Sequence, residues 1–200
     1  MCRNIIFDIG NVLLDFNPKE YLKSKMKEDK VDYVHKEIFE SEEWIMLDRG
    51  TILEEEAIKI ITSRSNENEE LIKIAFEKWY DILNPIEKTV DILKNLKESG
   101  YKVYYLSNFH LKAFEHVTSK YKFFNIFDGG VVSYEEKIIK PEKEIYNKII
   151  EKYKLNVNES IFIDDMECNI NKAREVGFKT ILFKNPEELI VSLKEYGVKC

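Results

Sequence analysis

The chain has 200 residues, 44% of them hydrophobic and 34% charged, and a formal net charge of −6. That length holds one α/β domain with a small insert, and the acidic balance argues against nucleic acid as the main partner, since phosphate backbones select a basic footprint. No apolar run approaches the roughly 20 residues of a membrane span. The N-terminus runs directly into a strand, so no secretory signal is expected. Cys2, Cys168 and Cys200 are odd in number and widely spaced. They outline neither a disulfide framework nor a zinc site and fit a reducing cytoplasm.

Ile5-Ile6-Phe7 is an apolar run without alternation, which predicts a short strand buried on both faces, with Asp8 at its end. From Pro18 to about Leu83 the periodicity is helical. Pro18 occupies a first-turn position for a helix to about Lys27, and a second helix carries Val31, Val34 and Ile38. Ser41 caps a third, with Trp44, Ile45 and Leu47, which Gly50 stops. Thr51-Ile52-Leu53-Glu54 reads as a capping box for a fourth, and Asn66 as the cap of a fifth through Leu71, Ala75 and Trp79. Asn84-Pro85 reads as the start of the next helix, with Val90, Leu93 and Leu96 on its apolar face.

Beyond Gly100, strands and helices alternate. Tyr101 to Leu106 is a strand ending at Ser107-Asn108, and Leu111 to Tyr121 is a helix. A short strand lies within Ile126 to Val132, and Lys140-Pro141 precedes a helix through Ile145, Ile149 and Tyr153. Ser160 to Ile163 is a strand ending at Asp164-Asp165. Asn169 to Val176 is a helix closed by Gly177, Lys179 to Phe183 a last strand, and Pro186 opens a final helix. The pattern predicts a doubly wound α/β fold, with a parallel sheet and helices on both faces. Residues 1–15 and 84–200 form the core, and residues 16–83 a small helical insert.

Parallel strands end on one edge, so Asp8, Ser107-Asn108 and Asp164-Asp165 can converge there, with Lys140 arriving from a loop. Two adjacent acids repel, and a divalent cation relieves the repulsion. Carboxylates with a backbone carbonyl and waters suit Mg2+. Asp8 can act as a nucleophile that forms an aspartyl-phosphate. An anion attacking a phosphate needs compensating charge, which magnesium and Lys140 would supply. The Ser107 hydroxyl and a backbone N–H near Asn108 would hold a phosphate oxygen.

These pieces, in this order, resemble the four motifs of the haloacid dehalogenase-like hydrolases. Phe7-Asp8-Ile9-Gly10-Asn11-Val12-Leu13-Leu14-Asp15 resembles the first motif, Leu106-Ser107-Asn108 the second and Lys140-Pro141-Glu142 the third. The run from Ile163 to Asn169, continuing to Ala173 and Gly177, resembles the fourth. The resemblance implies a Rossmann-like core and a magnesium-dependent phosphatase. It implies Asp8 as nucleophile, Lys140 as phosphate neutraliser and Asp165 as metal ligand, with Asp164 acting directly or through water.

The family's usual first motif has a second Asp two positions after the first, as general acid and base; here that position is Gly10. Its backbone carbonyl is still available to a metal, but the proton donor is gone. The Asp-x-Gly-Asn-Val form resembles a bacterial subgroup that includes α-D-glucose-1-phosphate phosphatases, and the similarity extends to Asp48-Arg49-Gly50. His110 is a candidate substitute donor, and Arg49 a candidate substrate contact from the cap. Trp44 reads as cap core, Asn169 as ordering the fourth-motif loop, Asp15 as bonding backbone, and His35 and His116 as solvated. The expected partner is a small phosphorylated metabolite, with sugar phosphates as the candidate class, and no nucleic acid, membrane or protein partner is expected. The competing readings are a 2-haloacid dehalogenase and a non-catalytic phosphate- or partner-binding protein.

Overall fold

The structure, a computed structural model, describes residues 2–199, with the side chain of Asn66 outside the description. Cys200 therefore lies outside the described residues, as does the expected capping role of the Asn66 side chain. The central strand β1 (Asn4–Phe7) is flanked by β4 (Lys102–Ser107) and β6 (Ser160–Asp164), with β5 (Gly129–Val132) and β7 (Lys179–Leu182) outside them. All five strands are parallel, in the order β5-β4-β1-β6-β7. Ile5, Ile6 and Phe7 are fully buried because helices cover both sheet faces.

Alternation of side chains divides the core in two. Ile5, Phe7, Val103, Ile161 and Ile163 face α6 (Glu87–Glu98), α7 (Leu111–Lys120) and α11 (Pro186–Glu195). Ile6, Tyr104, Leu106 and Phe162 face α9 (Lys143–Tyr153) and α10 (Glu167–Val176). Between β1 and α6 the chain forms five helices: α1 (Pro18–Lys25), α2 (Glu28–Phe39), α3 (Glu42–Arg49), α4 (Glu54–Arg64) and α5 (Glu69–Phe76). Their apolar stripes, including Val34, Ile61 and Ile72, are continuous with the first core layer. The insert thus sits against the body through buried apolar surface.

Four local expectations are corrected. Thr51 does not open α4: Leu53 is the N-cap and makes no side-chain cap bond. Gly50 adopts a left-handed conformation, and the Thr51 N–H donates to the Met46 carbonyl at 2.9 Å, so Thr51 closes α3 instead. Asn84-Pro85 is not a helix start but β3, antiparallel to β2 (Leu14–Asp15), where the entry and exit of the insert meet. The Ile86 N–H is spent on the Leu13 carbonyl at 2.9 Å, and α6 begins at Glu87. Trp79 lies outside α5, in a short 3₁₀ turn after Lys78, which adopts positive φ. Asp15 is exposed, and Asn11 takes the bonding role: its Oδ1 accepts the Phe16 N–H at 3.1 Å.

Candidate active site

The carboxyl edge of the sheet assembles the site. Asp8 continues the pairing of β1 with β6, since its N–H donates to the Ile163 carbonyl at 2.8 Å. That pairing aims its side chain beyond the strand ends. Asp8 Oδ1 accepts from the Ser107 hydroxyl at 2.6 Å and the Ile9 N–H at 2.7 Å, and lies 2.9 Å from Lys140 Nζ. Oδ2 makes no hydrogen bond among the described residues. Burial pushes the Asp8 carboxyl up to about 7 against the pull of Lys140, with Asp164 and Asp165 adding to the rise.

Lys140 is buried and also contacts Asp164 Oδ2 at 2.6 Å. Burial works against its ammonium, but Asp164 and Asp8 outweigh that and hold it above its ordinary range. Asn108 positions the lysine: its amide donates to the Lys140 carbonyl at 3.0 Å, and its Oδ1 accepts the Lys140 N–H at 2.7 Å. The Asn108 side chain is therefore spent on backbone and is not free for phosphate. Asn169 orders the fourth-motif loop as expected, donating to both oxygens of Asp164 at 2.9 and 3.2 Å. Asp164 Oδ1 also accepts the Met166 N–H at 2.8 Å.

Asp8, Asp164 and Asp165 each present an oxygen, all within 4.8 Å of one another. Asp165 is half-buried, and burial followed by the Asp164 charge raises its carboxyl. An all-oxygen donor set under mutual repulsion fits a hard divalent cation. The Gly10 carbonyl accepts no hydrogen bond among the described residues, and Gly10 lines the same cavity as Asp8 and Asp165. Neither φ nor space demands glycine there, since an added Cβ would meet nothing within 4 Å.

A cavity of about 190 Å³ opens above these groups. The insert and the loops supply Phe16, Trp44, Asp48, Trp79 and Leu83, and the core supplies Phe109, His110 and Met166. Trp44 therefore lines the cavity as well as packing within the insert. His110 is buried, with its ring 4.1 Å from that of Trp44 and 5.1 Å from that of Trp79. Burial drives its imidazole down to about 3, so at neutral pH it is uncharged. His35 and His116 are not fully solvated either, because each packs on an aromatic ring, Phe39 and Tyr80 respectively.

Arg49 does not reach the cavity. Its guanidinium forks onto Glu142 at 2.9 and 2.5 Å, since the carboxylate at the N-cap of α9 offers a matching acceptor pair. Its neighbours also grip the core. The Ser133 hydroxyl donates to the Asp48 carbonyl, and Lys137 Nζ donates to the Gly50 carbonyl. A Cβ on Gly50 would strike the Tyr134 carbonyl at 2.5 Å, so glycine permits this approach. The roles of Asp48 and of the aromatic lining carried no signal in the sequence beyond the Asp48-Arg49-Gly50 segment.

Residues 2–177 match the haloacid dehalogenase-like hydrolase family. A sesquiterpene phosphatase of Aspergillus oryzae is 27% identical over 172 residues, covering 86% of this chain and 85% of that protein. A D-ribitol-5-phosphate phosphatase of Bacteroides thetaiotaomicron is 26% identical over 199 residues, covering 92% and 93%. A crystal structure of an enzyme of the same family from Bacteroides thetaiotaomicron, in complex with magnesium and inorganic phosphate, superposes with a TM-score of 0.73 at 25% identity and covers 92% of this chain and 96% of that one. The order of motifs, the five-stranded parallel sheet and the family match converge: the chain belongs to the haloacid dehalogenase-like hydrolases.

Proposed function

We propose that this phosphoric monoester hydrolase transfers the phosphoryl group of a small phosphomonoester to Asp8, uses magnesium, and closes over its substrate with residues 16–83 as a cap. The observation that carries the reading is the hold on Asp8: Ser107 and Lys140 fix Oδ1 and leave Oδ2 unbonded. Asp8, Asp165 and the Gly10 carbonyl would hold the metal, with Asp164 assisting although Lys140 and Asn169 already engage it. Bound magnesium supplies charge compensation for two anions brought together.

Asp8 then attacks phosphorus, Lys140 neutralises the phosphoryl oxygens, and Ser107 turns its hydroxyl towards one of them. Water hydrolyses the aspartyl-phosphate and regenerates Asp8. A sugar or polyol phosphate, glucose 1-phosphate included, is the substrate class we favour, in line with the ribitol-phosphate relative. The apolar faces of such rings stack on aromatic side chains, and Trp44 and Trp79 provide them. A phosphate ester of an apolar alcohol is the second reading, favoured by the largely apolar lining and the sesquiterpene phosphatase relative. Dehalogenation is disfavoured, because three carboxylates at one edge oppose a carboxylate substrate.

Turnover of p-nitrophenyl phosphate with magnesium, abolished by EDTA, tests the activity. A screen of sugar, polyol and isoprenoid monophosphates tests the substrate. Chloride release from 2-chloropropionate without phosphatase turnover would reverse the assignment.

A further inference from the structure

The phosphatase reading leaves a proton to be found. When the ester oxygen departs as an alkoxide it needs a proton, and the water that follows must lose one; a placed acid–base group is worth about 10²- to 10⁴-fold. Gly10 brings no side chain. Asp8 is the nucleophile, Asp165 belongs to the metal set, Lys140 is held by two carboxylates, and the Asn108 amide is spent on backbone. The Asn11 and Asn169 amides supply no proton at neutral pH, so two titratable cavity-lining groups remain, His110 and Asp48.

His110 is packed against both Trp44 and Trp79 and uncharged at neutral pH, so it has no acidic imidazolium proton to give. Its Nε2 lies 3.2 Å from Asp48 Oδ1, and neither ring nitrogen has a hydrogen-bond partner among the described residues. Asp48 sits in the last turn of α3, where the helix dipole disfavours a carboxylate. Its backbone is anchored to the core by Ser133, so its carboxyl is delivered at a fixed height over the strand ends. The groups that face it are Asp8, Lys140 and His110. Burial, then the Asp8 charge, lift its carboxyl to about 7 against the opposing effect of Lys140.

We propose that Asp48, carried by the insert, is the general acid and base of the hydrolysis, with His110 as the positioning residue packed beside its carboxyl in the cavity. In the first step a bond forms between an Asp8 oxygen and phosphorus. The bond from phosphorus to the ester oxygen breaks, and that oxygen takes the proton of the Asp48 carboxyl and leaves as alcohol. In the second step the Asp48 carboxylate removes a proton from water as the water oxygen bonds to phosphorus. The bond to Asp8 breaks, inorganic phosphate leaves, and Asp48 is protonated again.

The inference rests on the phosphatase reading, and the test separates the two. kcat/KM is measured for wild type and Asp48→Asn on p-nitrophenyl phosphate, whose leaving group needs no acid, and on a series of alkyl phosphates, whose leaving groups do. Expected is a loss of about 10²- to 10⁴-fold on the alkyl esters, with the aryl ester changed by only a few fold. Equal losses on both series, or no loss on either, would overturn the assignment. Wild type alone provides a second measurement: a shallow dependence of kcat/KM on leaving-group basicity is expected, and a steep one overturns the role of Asp48. An added Cβ at Gly10 meets nothing, so Gly10→Asp introduced into the Asp48→Asn protein is expected to restore alkyl phosphate turnover at least tenfold by supplying an acid from the other wall. No turnover of p-nitrophenyl phosphate by wild type would sink the phosphatase reading and the assignment with it.

Discussion

Arg49 and Glu142 stand 93 residues apart and meet through two hydrogen bonds of 2.9 and 2.5 Å, joining the end of α3 to the start of α9. The pair is partly exposed, so its direct contribution is modest, about 0.5–1 kcal/mol. Its position gives it more weight than its energy, because the adjacent residue is Asp48. Arg49→Ala and Glu142→Ala are expected to lower kcat/KM on alkyl phosphates by similar factors and to combine non-additively in the double variant. A loss confined to Arg49→Ala would instead mark Arg49 as a substrate contact. Steady-state kinetics on the three proteins decide between these.

Asp8→Asn keeps the hydrogen bond from Ser107 but removes the nucleophile. Turnover of p-nitrophenyl phosphate should fall by at least about 10³-fold while circular dichroism is unchanged. Wild-type turnover in Asp8→Asn would remove Asp8 from the mechanism.

Magnesium should stabilise the protein in proportion to its saturation, by about 2.7 kcal/mol at one hundred times its dissociation constant. Asp165→Asn should largely abolish that shift in Tm, since Asp165 is the acid of the trio not already engaged by Lys140. A full magnesium shift in Asp165→Asn would contradict the ligand set. Differential scanning fluorimetry with and without EDTA reads both outcomes.

Lys140→Met leaves Asp8 and Asp164 buried without their cation. Removing one partner of a buried pair costs roughly 3–5 kcal/mol. Asp8 already titrates well above its unfolded value, so the metal-free variant should lose most stability at pH 8, where the Asp8 carboxyl is ionised, and least near pH 5, where it takes up a proton. Urea denaturation at the two pH values measures the difference.

His110 is held down to about 3 in the fold, whereas an unfolded histidine titrates near its ordinary value of about 6.5. Between those limits the unfolded chain binds the proton and the native state does not. Stability therefore rises with pH across that window, by about 1.4 kcal/mol per unit at most for one group. His110→Gln should flatten the acid limb between pH 4 and 6.5. An unchanged slope would mean that other groups control it.

The alternation of apolar runs with helical periodicity was enough to read the doubly wound sheet, because a strand covered on both faces cannot tolerate polar residues and Ile5 to Phe7 has none. The convergence of Asp8, Ser107, Lys140, Asp164 and Asp165 was also legible, since parallel strands place their ends on one edge whatever lies between them. Boundaries were less legible. Asn84-Pro85 carries helix-start residues and yet pairs with β2, because a tertiary partner outbids a local preference. Thr51 closes one helix rather than opening the next because its N–H is taken by the Met46 carbonyl five residues back, a competing local cap.

What the sequence determined by itself was thus the sheet, the edge and the acids and lysine that gather on it, all consequences of hydrophobic periodicity. What only the tertiary structure decided was the partner of each side chain brought in from the insert. Arg49 turns away to Glu142, and Asp48 turns in beside His110. Adjacent residues on a helix point in different directions, and which of them meets the cavity depends on how the helix docks against the core, a rotation that periodicity does not encode.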